Sequence, residues 1–414
     1  MKPARKLVLL AGSGIEPYRR YLLEQASEEY DIWLVDDALP TWQRRFIVGF
    51  TPVENFESRS LERAALEVGR SRRIDGLVCW DDRHVIAAAD AATLLGLRAL
   101  GAIGARGCRD KSFSRERLRA AGVLQPDSRY CLDENEAIQA AEAVGYPVIV
   151  KPRGMGGSIG VARADDKDQL VLRFREADAA SMAGADEFKR GAIVEQYVDG
   201  PEVSIDGRIV DGKYEQLFIA RKTVGLPPHF EETGHVVDSE DPLLQDCSLL
   251  ATLIAAHDAI EIQNGITHTE AKLTRSGWVI IEINGRLGGD LIPYLATLAT
   301  GLQAGRIAAQ IACGDLVDDQ QRTTNKAAAI SFSYPQRAIV VDAVHLPPAE
   351  KTGSLTSRPV ALAKPGDRLG LPPEAHLARV GYAIATGPGA EPCARLSRIM
   401  ADRILATPRQ HLGD

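Results

Sequence analysis

The chain has 414 residues, a formal net charge of −7, 45% hydrophobic and 25% charged residues, which is ordinary globular usage with room for two to four domains. A mildly acidic balance makes the chain a poor candidate for a sequence-independent nucleic-acid binder, and no apolar run approaches the roughly 18 residues of a membrane span. Six scattered cysteines without a CxxC pair exclude a zinc ribbon or a disulfide framework and point to a reduced, cytoplasmic protein.

In chain order, Leu7-Val8-Leu9-Leu10 reads as a strand, followed by a Gly12-Ser13-Gly14 turn and a helix from Tyr18 to Glu29. Ile32–Val35 and Gly76–Trp80 read as further buried strands, the latter ending in Asp81-Asp82 before a helix from Val85 to Leu95. Strands alternating with helices imply a parallel sheet. The first turn departs from G-x-G-x-x-G, since Pro17 stands in the last position, so a tight turn is the expected role. Gly101–Gly107 reads as a linker, and helices are expected over Ser112–Ala121 and Glu134–Val144. Val148–Val150 is a strand ended by Lys151. Ala192–Thr223 reads as three strands joined by turns, with Asp211-Gly212 as a hairpin signal. A helix over Leu249–Ile262, a hairpin over Thr267–Asn284 and one long helix over Leu291–Ala312 follow. Short strands and a last helix, Ala394–Ala406, complete the chain.

Three constellations carry chemistry. Lys151 leaves a buried strand and needs an anion. The loop behind it (Pro152-Arg153-Gly154-Met155-Gly156-Gly157-Ser158-Ile159-Gly160) can turn its amides onto phosphate oxygens; the alternative is a plain flexible turn. Ile193–Glu202 reads as a strand and a turn, after which Glu202, Ser204 and Asp206 share one strand face.

The hairpin is the third. A three-residue loop, Arg275-Ser276-Gly277, pairs Thr274 with Trp278. That register sets Glu270 opposite Glu282 and His268 opposite Asn284. It puts Ala271, Leu273, Val279, Ile281 and Ile283 on an apolar face and Glu270, Lys272, Glu282 and Asn284 on the other. Opposed carboxylates repel, and a hard divalent cation held by oxygens resolves the conflict. With Lys272 beside Glu270, the alternative is that the carboxylates pair with cations on a solvated face. Arg286 follows, with Gly285, Gly288 and Gly289 opening space beside it.

In this order the pieces resemble the ATP-grasp superfamily, over roughly residues 5–405. The resemblance implies an α/β fold with α+β elements. Its expected parts are an N-terminal Rossmann-like parallel domain (1–106), a small lid domain with the glycine loop (107–190), a large antiparallel-sheet subdomain (191–330) and a barrel-closing C-terminal segment (331–414). It implies ATP and Mg2+ as cofactors, with Mn2+ as an alternative ion. Lys111, Lys151, Gly154, Gly156, Gly157 and Ser158 would meet the phosphates. Glu195 and the backbone of Gln196, Tyr197 and Val198 would hold adenine, and Glu202 the ribose. Glu270, Glu282 and Asn284 would hold the metal, and Arg286 would stabilise an acyl phosphate.

Within that superfamily the chain is most similar to the bacterial L-amino acid ligases of the alanine–anticapsin ligase type. The loop Pro228–Val237 and the tail Arg379–Gly387 carry this likeness. It assigns Glu232 and His235, together with Arg286, Gly288, Gly289 and Asp290, to an amino-acid substrate. Asp290 stands where a bulky aromatic can occur, either to receive an amino group or to cap the next helix. The expected activity is an ATP-dependent carboxylate–amine ligase in specialised metabolism. It would form dipeptides through an acyl phosphate with release of ADP and phosphate. Its expected partners are small amino-acid-like molecules and a second copy of itself, with neither nucleic acid nor membrane. Purine-pathway or biotin-carboxylase-like chemistry, and a non-catalytic nucleotide-binding protein, are the alternatives.

Overall fold

The computed structural model describes residues 4–317 and 326–409. Leu7–Ala11 is wholly buried and lies at the centre of a four-stranded parallel sheet, flanked by Asp31–Asp36 and Gly76–Cys79, with Gly49–Pro52 at the edge. A continuous apolar run is what a strand covered on both faces requires. Ser128–Cys131, Ala192–Gln196, Val148–Lys151 and Ala162–Ala164 form a second, antiparallel sheet.

The third sheet has nine antiparallel strands. Its first five, in spatial order, are Gly277–Asn284, Gly265–Thr274, Glu202–Val210, Lys213–Gly225 and Glu231–Asp238. The Asp211-Gly212 turn forms as expected: Val210 pairs with Lys213, and both turn residues have positive φ (50° and 76°).

Several local expectations are corrected. The glycine-rich stretch after Gly101 is a helix, Ala102–Arg109, because Gly104 and Gly107 let it lie close against Ile260 and Ile262. The expected long helix is two, Ile292–Thr300 and Ala304–Cys313, broken where Gly301 turns left-handed (φ 79°). The last helix runs Ala390–Asp402, and Leu405–Pro408 leaves it as a strand.

Helix Cys247–Ala259 backs the hairpin sheet and carries a buried histidine. His257 Nδ1 faces the Leu253 carbonyl at 2.6 Å and Nε2 faces the Thr267 hydroxyl at 2.8 Å. Burial lowers its pKa from 6.5 to about 4, the Leu253 carbonyl opposing in part. Below pH 6.5 the unfolded chain takes up a proton that the folded chain refuses until about pH 4. Stability is therefore lost as pH falls through that window, by about 3 kcal/mol from this group. Thermal unfolding of the wild type and of His257→Gln between pH 7 and 4.5 checks this, and the variant is expected to lose stability less steeply.

Candidate functional site

The hairpin reaches the expected opposition of carboxylates by a different path. Thr274 pairs with Gly277, so the turn is one residue tighter. A bulge at Ile281 restores the count, and Glu270 lies opposite Glu282 and His268 opposite Asn284. The bulge also corrects the faces: Trp278, Ile280 and Ile283 join Ala271 in the core, while Ile281 lines the cavity and Leu273 is exposed.

The two carboxylates do not pair with Lys272. Glu270 meets Lys222 at 3.1 Å and Glu282 meets Lys111 at 3.0 Å. Lys272 lies 3.5 Å from Glu202 and donates to the Val198 carbonyl. Lys222 is the hub. Its ammonium also reaches Glu202 at 2.6 Å and Glu232 at 2.8 Å, with 3% of the side chain exposed. Burial alone would lower its pKa, but the three carboxylates reverse this and hold it well above the usual lysine value. The same cation, with His268, holds Glu270 far below the carboxylate range against the burial that would raise it.

Beside Glu282, the buried Asn284 Oδ1 has no partner among the described residues. An orphaned carbonyl oxygen lining the same cavity as Glu270 and Glu282 fits a hard divalent ion, whose ligands are oxygens.

Lys151 ends its strand buried, 2.7 Å from Glu195. Arg115 grips the same carboxylate at 2.9 Å and anchors it to the hairpin through the Ile281 carbonyl at 2.6 Å. Burial would raise Glu195, yet Arg115 and Lys151 bring it down to about 2. Glu195 therefore has its carboxylate committed to two cations.

The glycine loop divides into two kinds of glycine. A side chain at Gly154 would run into Phe188, and one at Gly160 into Ala180 and Pro152. These two pack the ends of the loop against its surroundings. Gly156, Gly157 and Ser158 line the cavity, and Gly157 and Ser158 hold left-handed backbone (φ 64° and 56°).

One cavity is walled by Lys111, Lys151, Glu195–Val198, Glu202, Glu232, Glu270, Glu282, Asn284, Arg286, Gly289 and Asp290. Of the residues that the family resemblance assigns to ATP, metal or substrate, Gly154, His235 and Gly288 stand outside this wall. Gly288 donates its amide to Asp206 and has no room for a side chain beside His268. His235 is buried behind the wall, with Nε2 facing Glu232 at 3.1 Å and Asp290 at 3.4 Å. Arg286 is held by an ion pair to Asp82 at the end of the parallel sheet. Asp206 takes His268 at 2.5 Å; burial would lower that histidine, but Asp206 and Glu270 raise it to about 9. Asp290 is no helix cap: helix Ile292–Thr300 has no side-chain cap, and the Asp290 carboxylate pairs with Arg379.

Sequence reasoning missed Lys222, Arg115, Asp82 and Arg379. Arg115 carried a usable signal, being a charged residue on the buried side of an otherwise amphipathic helix, Lys111–Ala120.

Residues 144–294 match the model of the ATP-grasp domain. Alanine–anticapsin ligase of Bacillus subtilis (strain 168) is 24% identical over 331 residues, which span 72% of this chain and 70% of that protein. Alanine–anticapsin ligase of Bacillus amyloliquefaciens is 27% identical over 243 residues, spanning 54% of this chain and only 50% of its own length. Among solved structures, an L-amino acid ligase from Bacillus licheniformis superposes with a TM-score of 0.80 at 19% identity, over 98% of this chain and 100% of that one. A phosphoribosylglycinamide synthetase from Anaerococcus prevotii superposes with a TM-score of 0.71 at 17% identity, over 98% and 100%.

Lys222→Met is expected to remove the cation shared by three carboxylates and to destabilise the protein by about 3–5 kcal/mol. Urea unfolding at pH 7 checks it; a loss below about 1 kcal/mol contradicts the hub.

Proposed function

We propose, for a chain that carries an ATP-grasp domain on the fold of the ATP-grasp ligases, an ATP-dependent carboxylate–amine ligase joining two small amino-acid-like substrates. The observation that supports this best is the convergence on one cavity of the opposed Glu270 and Glu282, the orphaned Asn284 oxygen, two lysines and the glycine loop. Glu270, Glu282 and Asn284 would hold Mg2+, which when bound neutralises charge on the polyphosphate.

In the first step the carboxylate oxygen of one substrate attacks the terminal phosphorus of ATP, and ADP leaves. In the second the neutral amine of the other attacks the acyl carbon; the C–N bond forms, the acyl C–O bond breaks, and phosphate leaves with the proton shed by the nitrogen. The protein's task is to stabilise charge and position the groups. Lys111, Lys151 and the amides of Gly156–Ser158 contact the phosphates, and Arg286, fixed by Asp82, faces the reacting acyl phosphate. Gln196–Val198 offer backbone to adenine, and Glu202 takes the ribose. Closure of the glycine loop, as part of a lid unit over 107–190, would exclude water from the acyl phosphate. Glu232, with His235 behind it, anchors the amino group of the first substrate. Six free cysteines suit a reducing, cytoplasmic setting.

A coupled assay with amino-acid pairs is expected to release ADP and phosphate with a condensed product detected by mass spectrometry; AMP release, or turnover needing bicarbonate and no amine, would overturn this reading. Glu282→Gln is expected to lower kcat at least 100-fold (about 2.7 kcal/mol in the barrier). Undiminished product formation by that variant would remove the metal assignment.

A further inference from the structure

Beyond Arg286 the cavity wall is charged where a pocket for an apolar side chain would have no charge. Asp290 and Leu291 both adopt left-handed backbone (φ 51° and 63°), unfavourable for residues with a Cβ, and this turn sets the Asp290 carboxylate in the wall. Arg379, with 2% of its side chain exposed, donates to both Asp290 oxygens at 2.7 and 2.6 Å. Its other N–H groups reach the Tyr334 hydroxyl, the Glu232 carbonyl and, at 3.5 Å, the Tyr18 hydroxyl. The guanidinium lies 3.6 Å over the Phe332 ring. Arg379 thus has no donor left for a substrate carboxylate.

What stays open to the cavity is acceptor capacity. A carboxylate offers about four lone-pair sites. Asp290 has Arg379 on both oxygens and His235 on one; Glu232 has Lys222 on one and His235 on the other. His235 Nδ1 has no partner among the described residues, so the ring's polar contacts are through Nε2 to these two carboxylates. The ligand atoms of Glu232, His235 and Asp290 lie within 4.8 Å of one another, so Asp290 stands beside the carboxylate that the ligase reading gives to the substrate's amino group.

We propose that Asp290, clamped by Arg379, is a specificity-determining residue that receives a cationic side chain, ammonium or guanidinium, of an amino-acid substrate. This rests on the ligase reading. An apolar side chain in the same place would cover the remaining acceptor capacity of Asp290 without supplying a donor. A site built for a donor rejects the analogue that lacks it.

Calorimetric titration of the full chain, loaded with Mg2+ and a non-hydrolysable ATP analogue, with lysine and with its near-isostere norleucine tests this. Lysine is expected to bind at least tenfold tighter. Asp290→Asn is expected to shrink the margin below threefold, and the paired change Asp290→Leu with Arg379→Leu to turn it toward norleucine. Unchanged affinity for the ATP analogue reports an intact fold in each variant. Equal binding of the two amino acids by the wild type, binding of neither, or a tenfold margin surviving in Asp290→Asn overturns the proposal. Amino-acid-dependent ADP release is measured in parallel. Its absence beside a preserved lysine preference fails the ligase reading alone, whereas ADP release without that preference fails this proposal alone.

Discussion

The site depends on how two carboxylates are made to face each other across neighbouring strands. Glu270 and Glu282 repel, and a sheet that opposes them must supply compensating charge. Each receives a lysine: Lys222 from the nine-stranded sheet and Lys111 from the start of a helix. Neither lysine is sequence-local to its partner. The charge balance therefore links separate parts of the chain and gives the cavity a polar floor in which every cation has a fixed acceptor.

From that floor the charge spreads in two directions. Toward the glycine loop it is cationic, with Lys111, Lys151 and Arg286 beside amides in left-handed backbone. Toward Arg379 it is anionic, with Glu232 paired to Lys222 and Asp290 paired to Arg379. On the reading proposed above, the first end would take a polyanion with a divalent ion and the second a nitrogen cation. A protein of net charge −7 can hold both because the pairs are buried and local, and the overall charge describes its surface and solubility rather than its pocket.

Backbone irregularities decide which residues meet. Counted straight from the Asp211-Gly212 turn, Lys222 falls opposite Pro201, on the wrong face for Glu202. The register shift between Gln216 and Phe218 carries it to Glu202 and so creates the hub. In the Thr267–Asn284 hairpin a tighter turn and a bulge offset each other, so Glu270 meets Glu282 although the intervening pairs differ from those expected. A side chain changes face with every one-residue slip, and bulges leave little trace in hydrophobic pattern.

The sequence by itself determined the order of the elements, the parallel first sheet, the Asp211-Gly212 hairpin and the residue types that line the cavity. These follow from short-range rules: apolar periodicity, turn residues with positive φ, and charges that a buried strand cannot carry alone. Only the tertiary structure decided the partners. Arg115 clamps Glu195, Asp82 fixes Arg286, Lys222 gathers three glutamates, and Arg379 reaches back from the C-terminal segment to Asp290. Each of these pairs joins residues at least 20 positions apart except Lys222 with Glu232, and their meeting depends on bulges and packing between sheets. The reason is range: local propensity acts over a few residues, whereas a buried charge selects its counterion wherever the fold brings one within about 3 Å.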